Sequence, residues 1–352
     1  MEKLHIACEG GDYDIVISPG SWAEAAAVPG RKLLVCDSNV EKLFRERAEK
    51  LLAPVATFVF PAGEEHKTID TVMALCRRAA QLKLDRKCVF VALGGGVTGD
   101  LVGFAAAIYL RGVRVIQLPT TLLATVDSSV GGKTAVDIPE GKNLVGAFHQ
   151  PSRVVIDPEM LSTLPERELK NGLAEVVKTA VLGDAELFDL LEKRAGELFS
   201  KPFPTELYGE VIRRCCQVKA AIVAADAHEH GCRAFLNYGH TFGHALELLS
   251  GFGIAHGEGV SLGMVVAAKL AVRLGICSAE TEARQLALLR SLGEPTAIPK
   301  VPAEAWLDAM RGDKKARDGR IVFILPEKIG AVRSVGELTD AEVLAFLREL
   351  HP

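Results

Sequence analysis

Apolar strand-like segments alternate with helical patterns through the first half of the chain. KLLVCD precedes the helical pattern NVEKLFRERAEKLL, VATFVF precedes a predicted helix from Lys67 to Leu84, and CVFVAL precedes LVGFAAAIYL. VRVIQLP predicts a further strand, and LHIAC with DIVISPG predicts an initial hairpin. This alternation is typical of a parallel sheet covered on both faces. Ligands bind such sheets beyond the carboxyl ends of the strands, so a nucleotide site is predicted around Asp37, Gly63, Gly94 and Thr120.

The pattern changes after RVVID, where helical periodicity dominates. The expected fold is therefore α/β followed by α, with residues 1–158 and 159–352 as two domains. One hairpin-like stretch, RIVFILPEKIGAVRSV, interrupts the helices of the second half. The predicted helices are Pro165 to Leu198, Thr205 to Ala225, His240 to Leu249, His256 to Leu274, Ala279 to Leu292 and Asp340 to Leu350.

Composition excludes several classes of protein. The formal net charge of -4 provides no broad basic field for nucleic acid or a membrane surface, so an anionic ligand must be met by local cations. No apolar run has the length of a membrane span, and the start lacks the apolar region of a signal peptide. The eight cysteines show no C-x-x-C spacing and fit reduced thiols. A cytoplasmic protein is predicted.

Histidines cluster in NYGHTFGHALELLSGFGIAHGEGVSLGM. His240 and His244 are four residues apart and project from one helical face, so they could share a metal ion. His256 could be a third ligand, because Gly251 and Gly253 let the chain turn back after that helix. The alternative is that these rings only pack and hydrogen-bond. Their clustering favours a metal site.

A glycine-rich turn, GGGVTGD, follows a buried strand and opens a helix. Backbone amides and the helix dipole at this position can hold a pyrophosphate. The turn matches G-x-G-x-x-G poorly, so a tight strand-to-helix connection remains the alternative. Asp100 would then be only an acidic residue favoured by the dipole in the first helical turn.

A long segment, PTTLLATVDSSVGGKTAVDIPEGKNLVGAFHQP, has the composition of a loop. Ordered loops of this length in compact proteins are usually functional. Its lysines, Lys133 and Lys142, could reach phosphate or carboxylate groups, although isolated lysines are more often solvated.

Glu175 and Lys178 are three residues apart in GLAEVVKTA, on one face of a predicted helix. A surface ion pair would explain them, because such pairs are common at this spacing. Their apolar neighbours favour another interpretation, in which Glu175 completes a two-histidine, one-carboxylate set for a catalytic zinc. Both interpretations stay open on the residues alone.

These motifs together resemble the 3-dehydroquinate synthase family of sugar-phosphate cyclases. The resemblance runs from about Asp37 to Pro326 and implies a Rossmann-like NAD domain, a mainly helical metal-binding domain and a homodimer. The matching motifs are GEEHK, GGGVTGD, FAAAIYLRGV, LPTTLLATVDSSVGGKTAVD, GKNLVGAFHQP, GLAEVVKTA, GCRAFLNYGHTFGHALE, HGEGVSLGM and GDKK.

The resemblance also implies roles for individual residues. Zinc, with cobalt as a substitute, would be held by Glu175, His240 and His256, and His244 would contact substrate instead. Arg111 would reach the neighbouring subunit's site. The implied NAD contacts are Asp37, Asn39, Glu64, Lys67, Gly95, Gly96, Val97, Asp100, Thr120, Thr121, Lys142 and Thr163. The implied substrate residues are Asp127, Lys133, Asn143, Lys178, Lys219, Arg233, Asn237, His244 and either Lys314 or Lys315.

The reaction implied by the resemblance converts 3-deoxy-D-arabino-heptulosonate 7-phosphate to 3-dehydroquinate and phosphate, a step of the shikimate pathway. It proceeds by transient oxidation with NAD, phosphate elimination, re-reduction, ring opening and intramolecular aldol closure. Three alternatives remain open: a cyclase acting on a different sugar phosphate, a metal-dependent polyol dehydrogenase, and a non-catalytic metal- or nucleotide-binding protein.

Overall fold

The computed structural model describes residues 2–8, 10–226, 231–251, 253–312 and 321–350. The described residues form two compact units. The first unit lies within Met1–Pro165 and Thr205–Ala227, and the second within Glu166–Pro204 and His228–Pro352. This division differs from the single boundary predicted near Pro158, because the segment from Thr205 returns to the first unit.

The elements of the described residues are numbered along the chain. The strands are β1 (Glu2–Ile6), β2 (Tyr13–Ile17), β3 (Lys32–Asp37), β4 (Ala56–Phe60), β5 (Val89–Gly94), β6 (Arg114–Pro119), β7 (Lys133–Ile138), β8 (Gly141–Phe148), β9 (Arg153–Ile156), β10 (Phe323–Lys328) and β11 (Ala331–Val335). The α-helices are α1 (Ala23–Ala26), α2 (Ser38–Leu52), α3 (Ile69–Gln81), α4 (Gly96–Ile108), α5 (Glu166–Gly183), α6 (Ala185–Arg194), α7 (Thr205–Ala225), α8 (His240–Leu249), α9 (His256–Arg273), α10 (Ala279–Ser291), α11 (Ala303–Arg311) and α12 (Asp340–Glu349). None of these helices has the length and apolarity needed to cross a membrane.

The first unit is built on a seven-stranded sheet in the order β1-β2-β9-β6-β5-β3-β4. All neighbours are parallel except β1 and β2, which form the predicted hairpin. Successive side chains of β5 point to opposite faces. Phe90 packs with Leu75 and Leu101 of α3 and α4, whereas Val91 packs with Phe44 of α2 on the other face. The predicted α/β first half, with both sheet faces covered, is confirmed.

The long segment predicted as a loop contains regular structure, so that prediction was wrong. A π-type turn covers Ala124–Ser128, and β7 and β8 pair as an antiparallel hairpin. Along β7 the side chains alternate, with Thr134 and Val136 buried and Lys133 exposed. Thr134 packs so closely on α4 that a Cβ on Gly103 would meet its methyl group. The glycines and serines of this stretch hid the two-residue periodicity of the strand.

Helix α7 has the bounds predicted from its sequence but packs on the first unit. Its buried side includes Leu207, Val211, Cys216 and Lys219. The thiol of Cys216 donates a hydrogen bond to the carbonyl of Thr125 at 3.4 Å, within the π-type turn. This packing explains why the first unit includes a helix from the second half of the sequence.

The second unit is mainly helical, as predicted. The helix expected from Pro165 to Leu198 is interrupted at Asp184, whose carboxylate accepts a hydrogen bond from the amide of Leu187 at 2.9 Å and so begins α6. The expected hairpin is formed by β10 and β11. Helix α11 was missed, and it contributes the buried Trp306 that packs on Phe242 of α8.

Glycines let α8 and α9 approach backbone to backbone. A Cβ on Gly243 of α8 would lie 2.6 Å from the carbonyl oxygen of Gly259 on α9, and a Cβ on Gly263 would overlap the carbonyl of Gly239. Only glycine at these positions permits so close an approach. The contact places Gly239, just before α8, beside Val260 and Met264 of α9, and the rings of His240 and His256 lie 5.4 Å apart between centroids.

Candidate metal centre and active site

Three helices of the second unit bring three metal-ligand side chains together. Glu175 lies on α5 and is 0% exposed, while His240 and His256 are the first residues of α8 and α9. Their ligand atoms all lie within 4.8 Å of one another. Both histidines direct Nε2 at the same carboxylate oxygen, Oε1 of Glu175, at 3.5 Å for His240 and 3.2 Å for His256.

The spacing of these atoms fits a tetrahedral metal ion. Ligands that bind zinc at about 2.0–2.2 Å lie about 3.4 Å from one another. Nδ1 of His240 lies 3.1 Å from the carbonyl oxygen of Tyr238, which can only accept a hydrogen bond. That contact places the ring proton on Nδ1 and leaves the Nε2 lone pair for a metal. One carboxylate and two imidazoles also form the donor set of catalytic zinc sites.

His256 interacts with carboxylates on both sides of its ring. Burial alone would lower its pKa, but hydrogen bonds to Glu175 and Glu247 outweigh burial and raise the pKa of His256 to about 10. A proton on Nε2 and a divalent cation are alternatives for the same position, because a metal-binding imidazole must be neutral. The carboxylates that favour the proton therefore also favour the cation.

The backbone before α8 fixes the orientation of His240. Gly239 adopts a left-handed conformation with φ of 80°, and a Cβ there would lie 2.8 Å from Cγ of Met264. The preceding Tyr238 is fully buried and donates a hydrogen bond from its hydroxyl to Gln285 at 2.5 Å. This anchor holds in place the carbonyl that binds His240.

Lys178 does not lie on the surface, so the surface ion-pair interpretation is wrong. The side chain is 2% exposed, and Nζ contacts Oε2 of Glu175, the oxygen not approached by the histidines. Every residue of α5 from 172 to 182 is buried. A buried ion pair costs desolvation free energy that a surface pair avoids. Lys178 therefore belongs to the same buried charge cluster as the candidate ligands.

The remaining predicted substrate residues of the second unit that the structure describes lie on α8 or just before it in the chain. Arg233 is 2% exposed and Asn237 is half-buried, and both lie in the 3-10 helix Cys232–Asn237 that leads into α8. The ring of His244 packs beside the candidate ligands, with its centroid 5.2 Å from that of His240 and 6.0 Å from that of His256. Lys314 and Lys315 lie outside the described residues.

The first unit places the predicted NAD residues, except Lys142, beyond the carboxyl ends of its parallel strands. Asp37 ends β3, and its Oδ1 accepts hydrogen bonds from the amides of Asn39 and Val40, which caps α2. The predicted NAD residues follow the strands in turn. They are Asp37 and Asn39 at and after the end of β3, Glu64 and Lys67 after β4, Gly95, Gly96, Val97 and Asp100 after β5, Thr120 and Thr121 after β6, Lys142 on β8, and Thr163 after β9.

The turn before α4 has an open helix N-terminus. Gly95 is the N-cap residue and makes no side-chain cap, so the first amides of α4 are not satisfied by a capping side chain. A Cβ on Gly95 would lie 2.9 Å from the methyl group of Thr121. The amide of Thr120 donates to the carbonyl of Gly94 at 2.9 Å, which joins the turns after β5 and β6.

Lys67 links several of these residues. Its Nζ lies 2.7 Å from Oδ2 of Asp100 and donates a hydrogen bond to Oδ1 of Asn143 at 2.6 Å. Burial alone would lower the pKa of Lys67, but Asp100 and Glu64 raise it, so the amine stays charged. A predicted NAD residue and a predicted substrate residue are therefore in direct contact within the first unit.

The other predicted substrate residues of the first unit lie on different elements, but two of them, Asp127 and Lys219, are in direct contact. Nζ of Lys219 contacts the carboxylate of Asp127 and donates to its carbonyl oxygen at 2.6 Å. Lys133 begins β7 and is exposed. Arg111 is exposed and has φ of 64°, directly after Leu110 with φ of 50°. Two consecutive left-handed residues other than glycine indicate local strain, which is common at functional sites.

Sequence reasoning missed two carboxylates near these sites. Glu247 is buried on α8 and hydrogen-bonds Nδ1 of His256 at 3.1 Å. Asp137 accepts from the amide of Asn143 at 2.8 Å, where Asn143 has φ of 54°. A signal for Glu247 was present, because it follows His240 by two helical turns and therefore lies on the same face of the helix as His240 and His244. The sequence did not point to Asp137, because its segment was predicted to be a loop rather than a strand.

Comparison with known proteins identifies relatives of this chain. Residues 57–171 match the family described as 3-dehydroquinate synthase N-terminal, and residues 172–316 match that described as 3-dehydroquinate synthase C-terminal. A curated 3-dehydroquinate synthase from Synechococcus sp. is 44% identical, over 99% of this chain and 98% of the relative.

Solved structures share the fold over nearly the whole chain. A 2-epi-5-epi-valiolone synthase from Streptomyces hygroscopicus, solved with NAD+ and Zn2+ bound, has a TM-score of 0.89 at 33% identity, covering 98% of each chain. A 2-deoxy-scyllo-inosose synthase complexed with carbaglucose-6-phosphate, NAD+ and Co2+ has a TM-score of 0.87 at 28% identity, covering 99% of this chain and 100% of that one.

Alanine variants test the ligand set. Replacing Glu175, His240 or His256 by alanine should abolish stoichiometric zinc binding, because three protein ligands leave little redundancy. His244→Ala should retain zinc, since its ring lies beside the cluster rather than in it. Metal analysis of the four purified variants after dialysis measures this. Loss of zinc from His244→Ala together with full occupancy in Glu175→Ala would show that the histidine pair four residues apart is the ligand set.

Proposed function

This chain belongs to the 3-dehydroquinate synthase family, and we propose on that premise that it converts 3-deoxy-D-arabino-heptulosonate 7-phosphate to 3-dehydroquinate and phosphate. The observation that carries the proposal is the Glu175–His240–His256 cluster, with the buried Lys178 in contact with Glu175, in a chain 44% identical to a curated family member. We assign NAD to the first unit and a divalent metal, zinc or cobalt, to the second. The cytoplasmic location stays a prediction.

The cofactors define what the protein residues must do. When bound, NAD supplies a reversible hydride acceptor, and zinc supplies a Lewis acid for hydroxyl oxygens of the substrate. In the second unit, Lys178 and Arg233 are buried cations that can bind the charged groups of an anionic sugar. Glu175, His240 and His256 would hold the metal, and His244 beside them is placed to hold or move a proton of the substrate.

Residues of the first unit would bind the cofactor and part of the substrate. The open N-terminus of α4 can receive the pyrophosphate of NAD, as backbone amides at helix N-termini do. Lys67 is charged and holds the side chain of Asn143, so it couples the proposed cofactor site to a proposed substrate residue. Lys219, held by Asp127, provides a further buried cation.

The nearest rival is a cyclase with the same cofactors and another sugar phosphate. This alternative activity is supported by the similarity in fold to a 2-epi-5-epi-valiolone synthase and a 2-deoxy-scyllo-inosose synthase. Identity is higher to the curated 3-dehydroquinate synthase, at 44%, than to these enzymes, at 33% and 28%. The two buried cations of the second unit also suit a substrate that carries a carboxylate as well as a phosphate.

A substrate comparison tests the reaction. Protein loaded with zinc and NAD should release phosphate from the heptulosonate phosphate without accumulating NADH, because the hydride returns to the substrate in each turnover. Sedoheptulose 7-phosphate and glucose 6-phosphate serve as parallel substrates. Phosphate release from these sugars alone would assign a different cyclase activity. Stoichiometric NADH during steady turnover, followed by absorbance, would instead identify a dehydrogenase.

Replacement of Lys178 tests whether the buried cation acts on substrate. Lys178→Met should lower kcat/KM by a factor on the order of a hundred or more, since a charged hydrogen bond in a desolvated site is lost. Zinc content should stay near normal, because lysine is not a ligand.

The matched control is Lys170→Met on the same helix. Lys170 is half-buried and pairs with the exposed Glu166 at 2.7 Å, so its replacement should cost about 1 kcal/mol of stability and leave kcat/KM unchanged. If the two variants behaved alike, with wild-type kcat/KM in both, Lys178 would have no role in the reaction.

We propose further that the protein is a homodimer in which Arg111 acts in the partner's site. The support is local: Leu110 and Arg111 are exposed, and both occupy the left-handed region. Such conformations cost on the order of 1–3 kcal/mol per residue and persist where a function requires them. An exposed arginine on a strained turn is well placed to reach another molecule.

Subunit complementation tests this arrangement. An Arg111→Ala subunit and a Lys178→Met subunit, each with its own affinity tag, are co-expressed and the doubly tagged species is purified. If Arg111 acts across the interface, one of the two sites has both residues, and activity should recover to about half that of the wild type. Activity no higher than that of the single variants would place Arg111 in its own subunit's site. Failure of the tags to co-purify would exclude the dimer.

A further inference from the structure

A second carboxylate lies on the far side of the His256 ring from the candidate metal position. Glu247 of α8 is 7% exposed, and its Oε1 lies 3.1 Å from Nδ1 of His256. Nε2 of the same ring lies 3.2 Å from Oε1 of Glu175. The imidazole is therefore held between two carboxylates, one at each nitrogen. Only Glu175 belongs to the proposed ligand set.

The surrounding backbone leaves room for Glu247 in this position. A Cβ on Gly259 of α9 would lie 2.9 Å from both Cγ and Oε1 of Glu247. Glycine at 259 therefore lets the side chain pass between the two helices to reach the histidine at the start of α9. The contact joins α8 to His256 through a buried side chain, in addition to the backbone contact between the helices.

The hydrogen bond has a defined chemical consequence. A metal bound at Nε2 requires the ring proton on Nδ1, and a carboxylate at Nδ1 accepts that proton, orients the ring and increases its basicity. His240 has an analogous partner in the carbonyl oxygen of Tyr238, at 3.1 Å from its Nδ1. We propose that Glu247 is a positioning residue that turns His256 toward the metal held by Glu175, His240 and His256. This inference rests on the proposed function, because it assumes that ligand set.

A competing assignment makes Glu247 a ligand itself. Ligand atoms of His244, Glu247 and His256 also lie within 4.8 Å of one another. In that arrangement the negative charge of the Glu247 side chain would affect the metal affinity more than the length of the side chain. The positioning role depends instead on the length of the side chain, because a neutral amide oxygen at the same place can also accept a hydrogen bond from the Nδ1 proton. Two conservative variants separate the assignments.

The experiment compares Glu247→Gln with Glu247→Asp. Glu247→Gln keeps the length of the side chain and an acceptor oxygen but removes the negative charge. Glu247→Asp keeps the negative charge on a side chain that is shorter by one methylene group. The dissociation constants for Zn2+ are measured by chelator competition, and the absorption spectrum of Co2+-loaded protein reports the ligand set. Glu282→Gln is the control, because that half-buried residue of α10 pairs with Lys269 at 3.0 Å and belongs to neither group of candidate ligands.

The positioning role predicts that Glu247→Gln binds zinc within a few fold of the wild type and keeps its Co2+ spectrum. Glu247→Asp should bind on the order of 10–100-fold more weakly, as expected when an outer-shell partner of a ligand is lost. Tighter binding by Glu247→Asp than by Glu247→Gln, or an altered spectrum in Glu247→Gln, would make Glu247 a ligand and overturn the inference. Wild-type affinity in both variants would also overturn it. Failure of the wild-type protein to bind zinc would refute the metal centre itself, which separates the two proposals.

Discussion

Oxygen Oε1 of Glu175 is the atom around which the second unit is arranged. A carboxylate that is 0% exposed carries a large desolvation cost and must be compensated by charges or hydrogen bonds nearby. Lys178 contacts one of its oxygens, and two imidazoles approach the other from different helices. Three helices are thus fixed to one buried charge. The burial of Lys178, which would be unfavourable alone, follows from the burial of Glu175.

This arrangement depends on how closely α8 and α9 pack. The imidazoles can meet one carboxylate oxygen only if the two helices are in direct contact, because side chains between the helices would hold them apart. The glycines at 239, 243, 259 and 263 remove those side chains. Gly259 also makes space for Glu247. The glycines that lie close to the histidines in the sequence are therefore a requirement of the contact between the two helices.

The sequence predicted the elements better than their association. The bounds of α7 and α8 were predicted correctly because their apolar periodicity is strong and uninterrupted. That α7 packs on the first unit could not be predicted, because its apolar face does not specify which surface covers it. The hairpin of β7 and β8 was missed since turn-forming residues dominate its composition, and with it the contact of Asp137 to Asn143. The histidine cluster was visible, but whether Lys178 was buried depended on packing that spacing alone does not determine.

The charges of the second-unit cluster explain how an acidic chain could bind an anionic substrate there. Glu175 and Glu247 contribute two negative charges, and Lys178 with a protonated His256 contributes two positive charges, so the four groups sum to zero. A divalent ion in place of the His256 proton adds two charges and removes one, which leaves one net positive charge. Arg233 is buried in the 3-10 helix that precedes α8 and contributes one more positive charge to the second unit. Because the surroundings are buried, these charges are screened less than surface charges. The proposed metal would therefore do more than bind hydroxyl oxygens: it would make the pocket attractive to a carboxylate or a phosphate, although the chain carries a net charge of -4.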